Sequence, residues 1–206
     1  MLQKYKNITI SGLPGGGSTV LAKKLEKILG WEYFCGGDFM RAYAIEQGLF
    51  DEGGNLHHDA TVYDDEFDRK VDFGMRDKLE ESEGNILDAW LSGFMAQQVK
   101  GTLKVLVLCS DDAVRVDRIV NRDKVNVSDA KKHIFEREEK NFIKWSRLYK
   151  EEWQEWVVKQ GTVKPDDEID FWQANLYDLV IDTFSYSKDE TLKKVLEELG
   201  VDKKTV

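Results

Sequence analysis

A glycine-rich stretch near the amino terminus has the residue types of a phosphate-binding loop. It runs Gly-Leu-Pro-Gly-Gly-Gly-Ser-Thr from Gly12 to Thr19. In such loops the glycines let backbone N–H groups turn toward phosphate oxygens, a lysine reaches the outer phosphates, and a final hydroxyl binds Mg²⁺. Ser18 stands where the lysine belongs. The loop is predicted to bind phosphate without a fixed positive charge, through Gly12, Gly15, Gly16, Gly17, Ser18 and Thr19.

The segments on either side distinguish this loop from a plain strand-to-helix turn. Residues 7–11 are β-branched enough to indicate a buried strand. Apolar residues recur at helical spacing over residues 19–29. Strand, loop and helix follow in the order that a phosphate-binding loop requires, whereas the G-x-G-x-x-G of a dinucleotide site is missing. A plain turn is the alternative for the loop taken alone.

A carboxylate at the end of another strand offers a metal ligand. Residues 85–88 predict a buried strand that ends in Asp88. In phosphate-loop proteins an acidic residue in this position orients Mg²⁺ or its water shell. Thr19 and Asp88 are therefore the predicted metal-binding residues. The alternative is that Asp88 caps the next helix, which is expected around residues 91–98.

An arginine follows the second predicted strand. Residues 31–35 are short and aromatic, which suits a strand, and a helix is expected over residues 39–47 with Asp38 as its N-cap. Arg41 lies in the first turn of that helix. Parallel sheets bind ligands at the carboxyl ends of their strands, so Arg41 is a candidate anion contact.

Two later helices carry clusters of cations. One follows a strand at residues 103–109, with Ser110 or Asp111 as its cap. Its arginines share one face and are Arg115, Arg118 and Arg122. The other is the longest helical pattern, residues 126–152, with Ser128 as its cap. Its cations, which could reach a bound phosphate, are Arg137, Lys140, Lys144 and Arg147. Neutralisation by nearby aspartates is the alternative for the first cluster.

The long helix also begins an aromatic stripe. Its members are Phe135, Phe142, Trp145, Tyr149, Trp153 and Trp156. A stripe of this regularity indicates core packing and, secondarily, a partner surface. A further helix is predicted over residues 62–82, and the acidic residues at its start are expected to form a solvated face.

Composition limits the class of protein. The chain has 206 residues, 41% of them hydrophobic, and only 2 prolines, which suits one α/β domain without a stiff linker. A net charge of -9 disfavours a nucleic-acid binder. Because no signal peptide or long apolar run is present, a cytoplasmic protein without membrane contact is expected. Cys35 and Cys109 are predicted to be reduced core residues, and the histidines form no metal cluster.

Strand signals alternate with helices along the chain, which predicts a parallel sheet covered by helices on both faces. The local motifs also occur in the order of one family. The matches include residues 36–41 with A-G-D-x-F-R, 66–69 with E-L-D-R, 86–93 with L-E-G-R-L-A-G, 113–119 with E-V-R-A-E-R-I, 136–138 with R-E, and 177–183 with Y-D-L-V-I-N-T. With the loop, which is similar to G-x-P-G-x-G-T-T, they make nearly the whole chain resemble the archaeal-type branch of the cytidylate kinase family of P-loop nucleoside monophosphate kinases.

The resemblance implies a three-layer α/β/α P-loop NTPase fold with a five-stranded parallel sheet and helical NMP-binding and lid regions. It divides the single domain 1–206 into a core (1–36, 84–122, 176–206), an NMP-binding region (37–83) and a lid-like region (123–175). The implied reaction transfers the γ-phosphoryl group of ATP, with Mg²⁺, to CMP or dCMP. A monomer is expected.

The resemblance also implies roles for side chains. The acceptor nucleotide would be bound by Asp38, Arg41, Asp68, Arg69 and Trp90. The cations expected to close over the transferring group are Arg118, Arg122, Arg137 and Lys144. Because Ser18 is uncharged, these cations must supply what a loop lysine would give, and loss of Arg122 or Arg137 is expected to lower turnover more than ATP affinity.

Three departures from the family pattern leave alternatives open. Trp90 replaces an arginine, Lys144 replaces a lid arginine, and residues 153–175 form a longer segment than the family's link. Lysine keeps the charge of arginine but not its bidentate contact. Ser18, Trp90 and the aromatic stripe permit one alternative, a nucleotide-binding sensor or partner module that no longer catalyses. The other alternative is a phosphotransferase that uses another small acceptor.

Overall fold

A parallel sheet of five strands forms the middle layer of the molecule. The structure is a computed structural model and describes residues 4–46, 48 and 60–201. The strands are β1 (Asn7–Gly12), β2 (Glu32–Cys35), β3 (Asn85–Asp88), β4 (Thr102–Leu108) and β5 (Leu179–Asp182). Their order is β2-β3-β1-β4-β5, and every neighbouring pair is parallel. β1 therefore lies at the centre of the sheet.

Helices cover both faces of this sheet. They are α1 (Ser18–Leu29), α2 (Gly36–Glu46), α3 (Asp65–Glu81), α4 (Ser92–Met95), α5 (Asp112–Asp123), α6 (Val127–Lys131), α7 (Arg137–Leu148), α8 (Lys150–Trp153) and α9 (Lys188–Glu198). Two π-helical segments, Lys132–Glu136 and Gln154–Val158, extend the run that contains α6, α7 and α8. Of the helices in the described ranges, none combines the length and the apolarity that a membrane crossing needs.

The hydrophobic core has one part on each face of the sheet. All six residues of β1 are buried, as expected for a strand covered on both faces. On one side, Leu25 of α1 and Val195 of α9 pack against the sheet. On the other side, a cluster rich in aromatic rings includes Phe94 and Trp153. These two layers, with the sheet between them, confirm the predicted three-layer α/β/α fold.

Two predicted helix caps were wrong. The helix expected over residues 39–47 begins at Gly36, so Asp38 lies in its first turn and does not cap it. The helix expected to open at Ser128 is capped by Asn126, whose side chain accepts a hydrogen bond from the backbone of Asp129. Several residues near the start of each helix are of types that can cap it, so the local sequence alone did not identify the cap. The cap predicted at Asp111 is confirmed, because its carboxylate accepts from the backbone of Val114.

The predicted core residues are mostly buried. Tyr149 and Trp153 of the aromatic stripe are fully buried, whereas Phe135 is 37% exposed. Cys109 is buried, Cys35 is half-buried, and both are free thiols. Two of the histidines considered above, His57 and His58, lie outside the described residues.

The close contact between α4 and the segment before β5 allows this packing to be tested. A Cβ atom added to Gly93 would overlap the ring of Tyr177, whose hydroxyl is held by the carbonyl of Phe171 at 2.7 Å. Gly93→Ala is expected to destabilise the fold by about 1–3 kcal/mol through overpacking. Chemical denaturation measures the free energy of unfolding.

Gly74→Ala is the matched control. Gly74 lies inside α3, is exposed, and has open space around an added Cβ. The same methyl group should stabilise the fold there by about 0.5–1 kcal/mol, because alanine favours helix more than glycine does. Equal effects of the two substitutions would contradict the packing described.

Candidate active site

The glycine-rich loop between β1 and α1 has a conformation that requires its glycines. Gly15 and Gly17 have φ angles of 80° and 102°, a region that other residues rarely adopt. A Cβ atom on Gly12 or Gly16 would lie 2.9 Å from the carbonyl oxygen of Val107. The loop thus lies directly on the end of β4, and α1 begins at Ser18 with its N-terminus at the loop. A helix N-terminus in this setting favours bound phosphate.

Side chains from two other elements hold the outside of the loop. Arg118 of α5 donates to the carbonyl of Gly15 at 2.9 Å, and Arg115 donates to that of Pro14 at 3.1 Å. Arg118 also donates to the hydroxyl of Thr183, which in turn donates to the carbonyl of Gly16 at 2.7 Å. Arg118 was predicted to close over a transferring group. The structure places its guanidinium group on the loop backbone, where it braces the loop.

The two predicted metal-binding residues, Thr19 and Asp88, meet at the start of α1. The hydroxyl of Thr19 donates to Oδ2 of Asp88 at 2.8 Å, and the hydroxyl of Tyr33 donates to the same oxygen at 3.2 Å. Asp88 does not cap α4, which follows Leu91 and has no side-chain cap. Burial raises the pKa of the Asp88 carboxyl group. A cation bound there would favour its ionised form.

The chemistry of this pair suits a hard divalent cation. Hydroxyl and carboxylate oxygens are the ligand types that Mg²⁺ uses, commonly one or two from the protein with the rest from phosphate and water. Among the described residues, no group of three or more His, Cys, Asp or Glu could form a metal cage. The Thr19–Asp88 pair therefore has the ligand chemistry for Mg²⁺ only if phosphate oxygens and water complete the site.

A cleft opens next to this pair, where Ala89, the residue after Asp88, forms part of its lining. Its walls come from the start of α2, from α3, from the residues after β3, and from α7. Four predicted site residues line it, namely Arg41, Asp68, Trp90 and Arg137. Its mixture of aromatic walls with a few charged groups is typical of a small-molecule site.

Tryptophan rings form one wall of the cleft. The ring of Trp90 meets that of Trp145 edge-on at 5.5 Å and that of Trp172 at 6.1 Å. The guanidinium carbon of Arg137 lies 4.9 Å from the centre of the Trp90 ring, in cation–π contact. Trp90 thus builds a flat apolar surface at the position where the family pattern has an arginine.

Lys144 lies at the base of the cleft in a buried ion pair. Its ammonium group is 2.7 Å from Oδ2 of Asp68 and donates to the carbonyls of Ala60 at 2.9 Å and Tyr63 at 2.7 Å. Both charged side chains are more than 90% buried. The pKa of Asp68 is raised by burial, and Lys144 opposes that rise. Lys144 was predicted to face a transferring phosphoryl group; in the structure one carboxylate and two carbonyl oxygens surround its ammonium group.

Three other predicted residues are placed as follows. Arg69 pairs with Glu152, donates to the carbonyl of Leu148 at 3.2 Å and does not line the cleft. Asp38 forms an ion pair with Arg41 near the N-terminus of α2. Arg122 lies exposed near the end of α5 and pairs with the adjacent Asp123 at 2.6 Å.

The structure adds cleft residues that the sequence analysis did not identify. Asp72 and Asn141 both line the cleft. Burial, with repulsion from Asp68, raises the pKa of Asp72 to about 7, although its hydrogen bond from the Tyr149 hydroxyl acts in the opposite direction. The available signal was helical spacing, because Asp72 follows Asp68 by four residues and Asn141 follows Arg137 by four.

Known proteins resemble this chain in sequence and in fold. The sequence model of the cytidylate kinase-like family matches residues 7–185. The chain belongs to the cytidylate kinase-like family. It is 32% identical over 204 residues to a cytidylate kinase of Methanopyrus kandleri, covering 93% of each chain. It is 30% identical to a cytidylate kinase of Haloarcula marismortui, covering 92% of this chain and 86% of that relative.

Solved structures share the fold of this cytidylate kinase-like chain at low sequence identity. A shikimate kinase from Acinetobacter baumannii, in complex with shikimate, matches with a TM-score of 0.51 and 15% identity, covering 98% of this chain and 96% of that chain. A gluconokinase from Sinorhizobium meliloti matches with a TM-score of 0.51 and 12% identity, covering 96% and 93%. These likenesses show the fold alone.

The buried ion pair gives a prediction about stability. Lys144→Met leaves the carboxylate of Asp68 buried without its counter-charge, so the fold should lose about 3–5 kcal/mol of stability. The double substitution Lys144→Met with Asp68→Leu should recover much of that loss, because no buried charge is then unpaired. Denaturant unfolding of the three proteins measures both effects.

Lys150→Met is the control for the loss of one lysine. Lys150 is exposed at the start of α8, and its substitution should change stability by no more than about 0.5 kcal/mol. If Lys144→Met were equally mild, the pair would not hold the base of the cleft as described.

Proposed function

We propose that the protein is a nucleoside monophosphate kinase that transfers the γ-phosphoryl group of ATP to CMP or dCMP. One observation carries this proposal. The glycine loop and the Thr19–Asp88 pair lie next to a separate cleft that is lined by Arg41 and Arg137. One part suits a polyphosphate, and the other suits a smaller anion with a flat ring. The curated relatives, which carry the name cytidylate kinase, support the choice of acceptor.

The donor side would be formed by the loop and the start of α1. The backbone of residues 12–19 would bind the β- and γ-phosphates of ATP, with the N-terminus of α1 behind them. Thr19 and Asp88 would hold Mg²⁺, which neutralises charge on the phosphate oxygens when bound. Arg115 and Arg118 keep the loop carbonyls turned outward, so they serve the donor site without contacting it.

The acceptor side would be formed by the cleft. Arg41 and Arg137 would bind the phosphate of the acceptor, and Trp90 with Trp145 would pack against its base. Residues 37–83 and 123–175 are then the acceptor-binding and lid regions of a single domain. An oxygen of the acceptor phosphate attacks the γ-phosphorus, the bond to the bridging oxygen breaks, and ADP leaves with the electron pair.

The site differs from a usual phosphate-binding loop in which residue provides positive charge for the transferring phosphoryl group. Ser18 leaves the loop without an ammonium group, and Arg115, Arg118 and Lys144 donate to backbone carbonyls. Arg137 lies in the cleft, held over the ring of Trp90. It is the residue that we assign to stabilise the transferring phosphoryl group, because such transfer depends on positioning and charge neutralisation.

A coupled assay for ADP formation tests the proposed function. The purified protein is given ATP and Mg²⁺ with CMP, dCMP, UMP, AMP or GMP in turn. ADP formation that depends on CMP or dCMP is the expected result. ATP binding without ADP formation from any nucleotide would instead indicate a sensor, and the kinase proposal would be abandoned.

The role of Arg137 gives a second prediction. Arg137→Ala should lower kcat by at least about 10³-fold, as loss of an arginine finger does, while the affinity for ATP changes little. Arg147→Ala, on the same helix, is the control, because Arg147 is exposed and pairs with Asp65 at 2.8 Å. Steady-state kinetics with ATP and CMP measure both variants. Unchanged turnover in Arg137→Ala would remove this residue from the reaction.

A further inference from the structure

Two carboxyl groups on α3 line the same cleft, and their surroundings differ. Asp68 and Asp72 are one helical turn apart, so their side chains lie on one face of α3. Asp68 is neutralised by Lys144 at 2.7 Å. Asp72 makes no ion pair with any residue in the described ranges, and its Oδ2 accepts a hydrogen bond from the Tyr149 hydroxyl. Asp72 is therefore the carboxyl group of the cleft without a bound cation.

The free hydrogen-bonding capacity of Asp72 is that of an acceptor. Above its raised pKa of about 7 this carboxyl group is mostly ionised, so it offers about four lone-pair positions and no donor, and Tyr149 fills one of them. The side chain is half-buried and lines the cleft beside apolar residues such as Val71 and Met75. In such surroundings a matched hydrogen bond is strengthened, and an oxygen placed against another oxygen is costly.

We propose that Asp72 determines which pyrimidine base the cleft accepts, by receiving a hydrogen bond from the exocyclic amino group of cytosine. Uracil has a carbonyl oxygen at the same ring position and would set that oxygen against the carboxylate. This inference rests on the proposed function, because it assumes that the acceptor nucleotide binds in the cleft. The base then lies toward α3, with its phosphate at Arg41 and Arg137.

The first experiment uses the unaltered protein. Values of kcat/KM are measured above the raised pKa of Asp72, where the carboxylate is ionised, with ATP and Mg²⁺. The acceptors are CMP, UMP and the pyrimidin-2-one ribonucleoside monophosphate, which lacks the amino group. CMP should exceed both others by about 10- to 100-fold, the usual consequence of leaving a buried polar group unpaired. If the three nucleotides react within about threefold of one another, the inference about Asp72 is overturned while the kinase activity stands.

The second experiment changes the residue. The amide of Asp72→Asn can present N–H donors to the uracil oxygen, so the CMP/UMP ratio of kcat/KM should fall at least about tenfold, mainly through KM. Removal of the amino group from CMP should then cost this variant little. Asp77→Asn is the matched control, since Asp77 is exposed on the same helix, and its ratio should equal that of the wild type.

The outcomes separate base recognition by Asp72 from a purely structural role. Equal loss of activity toward CMP and UMP in Asp72→Asn would mean a structural role and would overturn the inference. If the variant does not fold, the comparison of CMP with its deamino analogue on the unaltered protein decides alone. If the unaltered protein phosphorylates no nucleotide, the proposed function itself fails, which is a different result from phosphorylation without base preference.

Discussion

The central position of β1 in the sheet determines where the groups of the site lie. Its neighbour on one side is β3, with Ile10 opposite Asp88, so the Asp88 carboxylate lies beside the loop. Its neighbour on the other side is β4, with Gly12 opposite Val107, and β4 leads into α5. Since parallel strands present their carboxyl ends at one edge, a loop at the middle strand receives partners from both sides. Exchange of two strands would separate the loop from the carboxylate or from the arginines.

The loop therefore depends on contacts that come from far along the chain. Gly15 and Gly16 have their carbonyls held by Arg118 and Thr183, which follow them by more than one hundred residues. A glycine loop has high conformational entropy when it is unfolded, so these contacts must fix it in one shape. The cost is that two cations on α5 are used for structure. The cations that line the cleft itself are Arg41 and Arg137.

The sequence predicted the sheet and the loop well because those features depend on local patterns. Runs of buried residues, the glycine spacing and the helical periodicity are all readable within a window of a few residues. The ion-pair partners of Lys144 and Arg69 could not be predicted from such local patterns. Their partners, Asp68 and Glu152, lie more than seventy residues away, and only the packing of α3 against α7 and α8 brings them together. The resemblance to the family identified the cationic residues but not the groups with which they pair.

The same packing has a consequence for motion. Lys144 and Asn141 of α7 bond the backbone at Ala60, and the hydroxyl of Tyr149, just after α7, bonds Asp72 of α3. Parting the two walls of the cleft would break a buried ion pair, which is far more costly than breaking a surface pair. We therefore expect these walls to move as one rigid unit. Any opening of the cleft would then rotate this unit relative to the sheet in one hinged movement, in place of two independent ones.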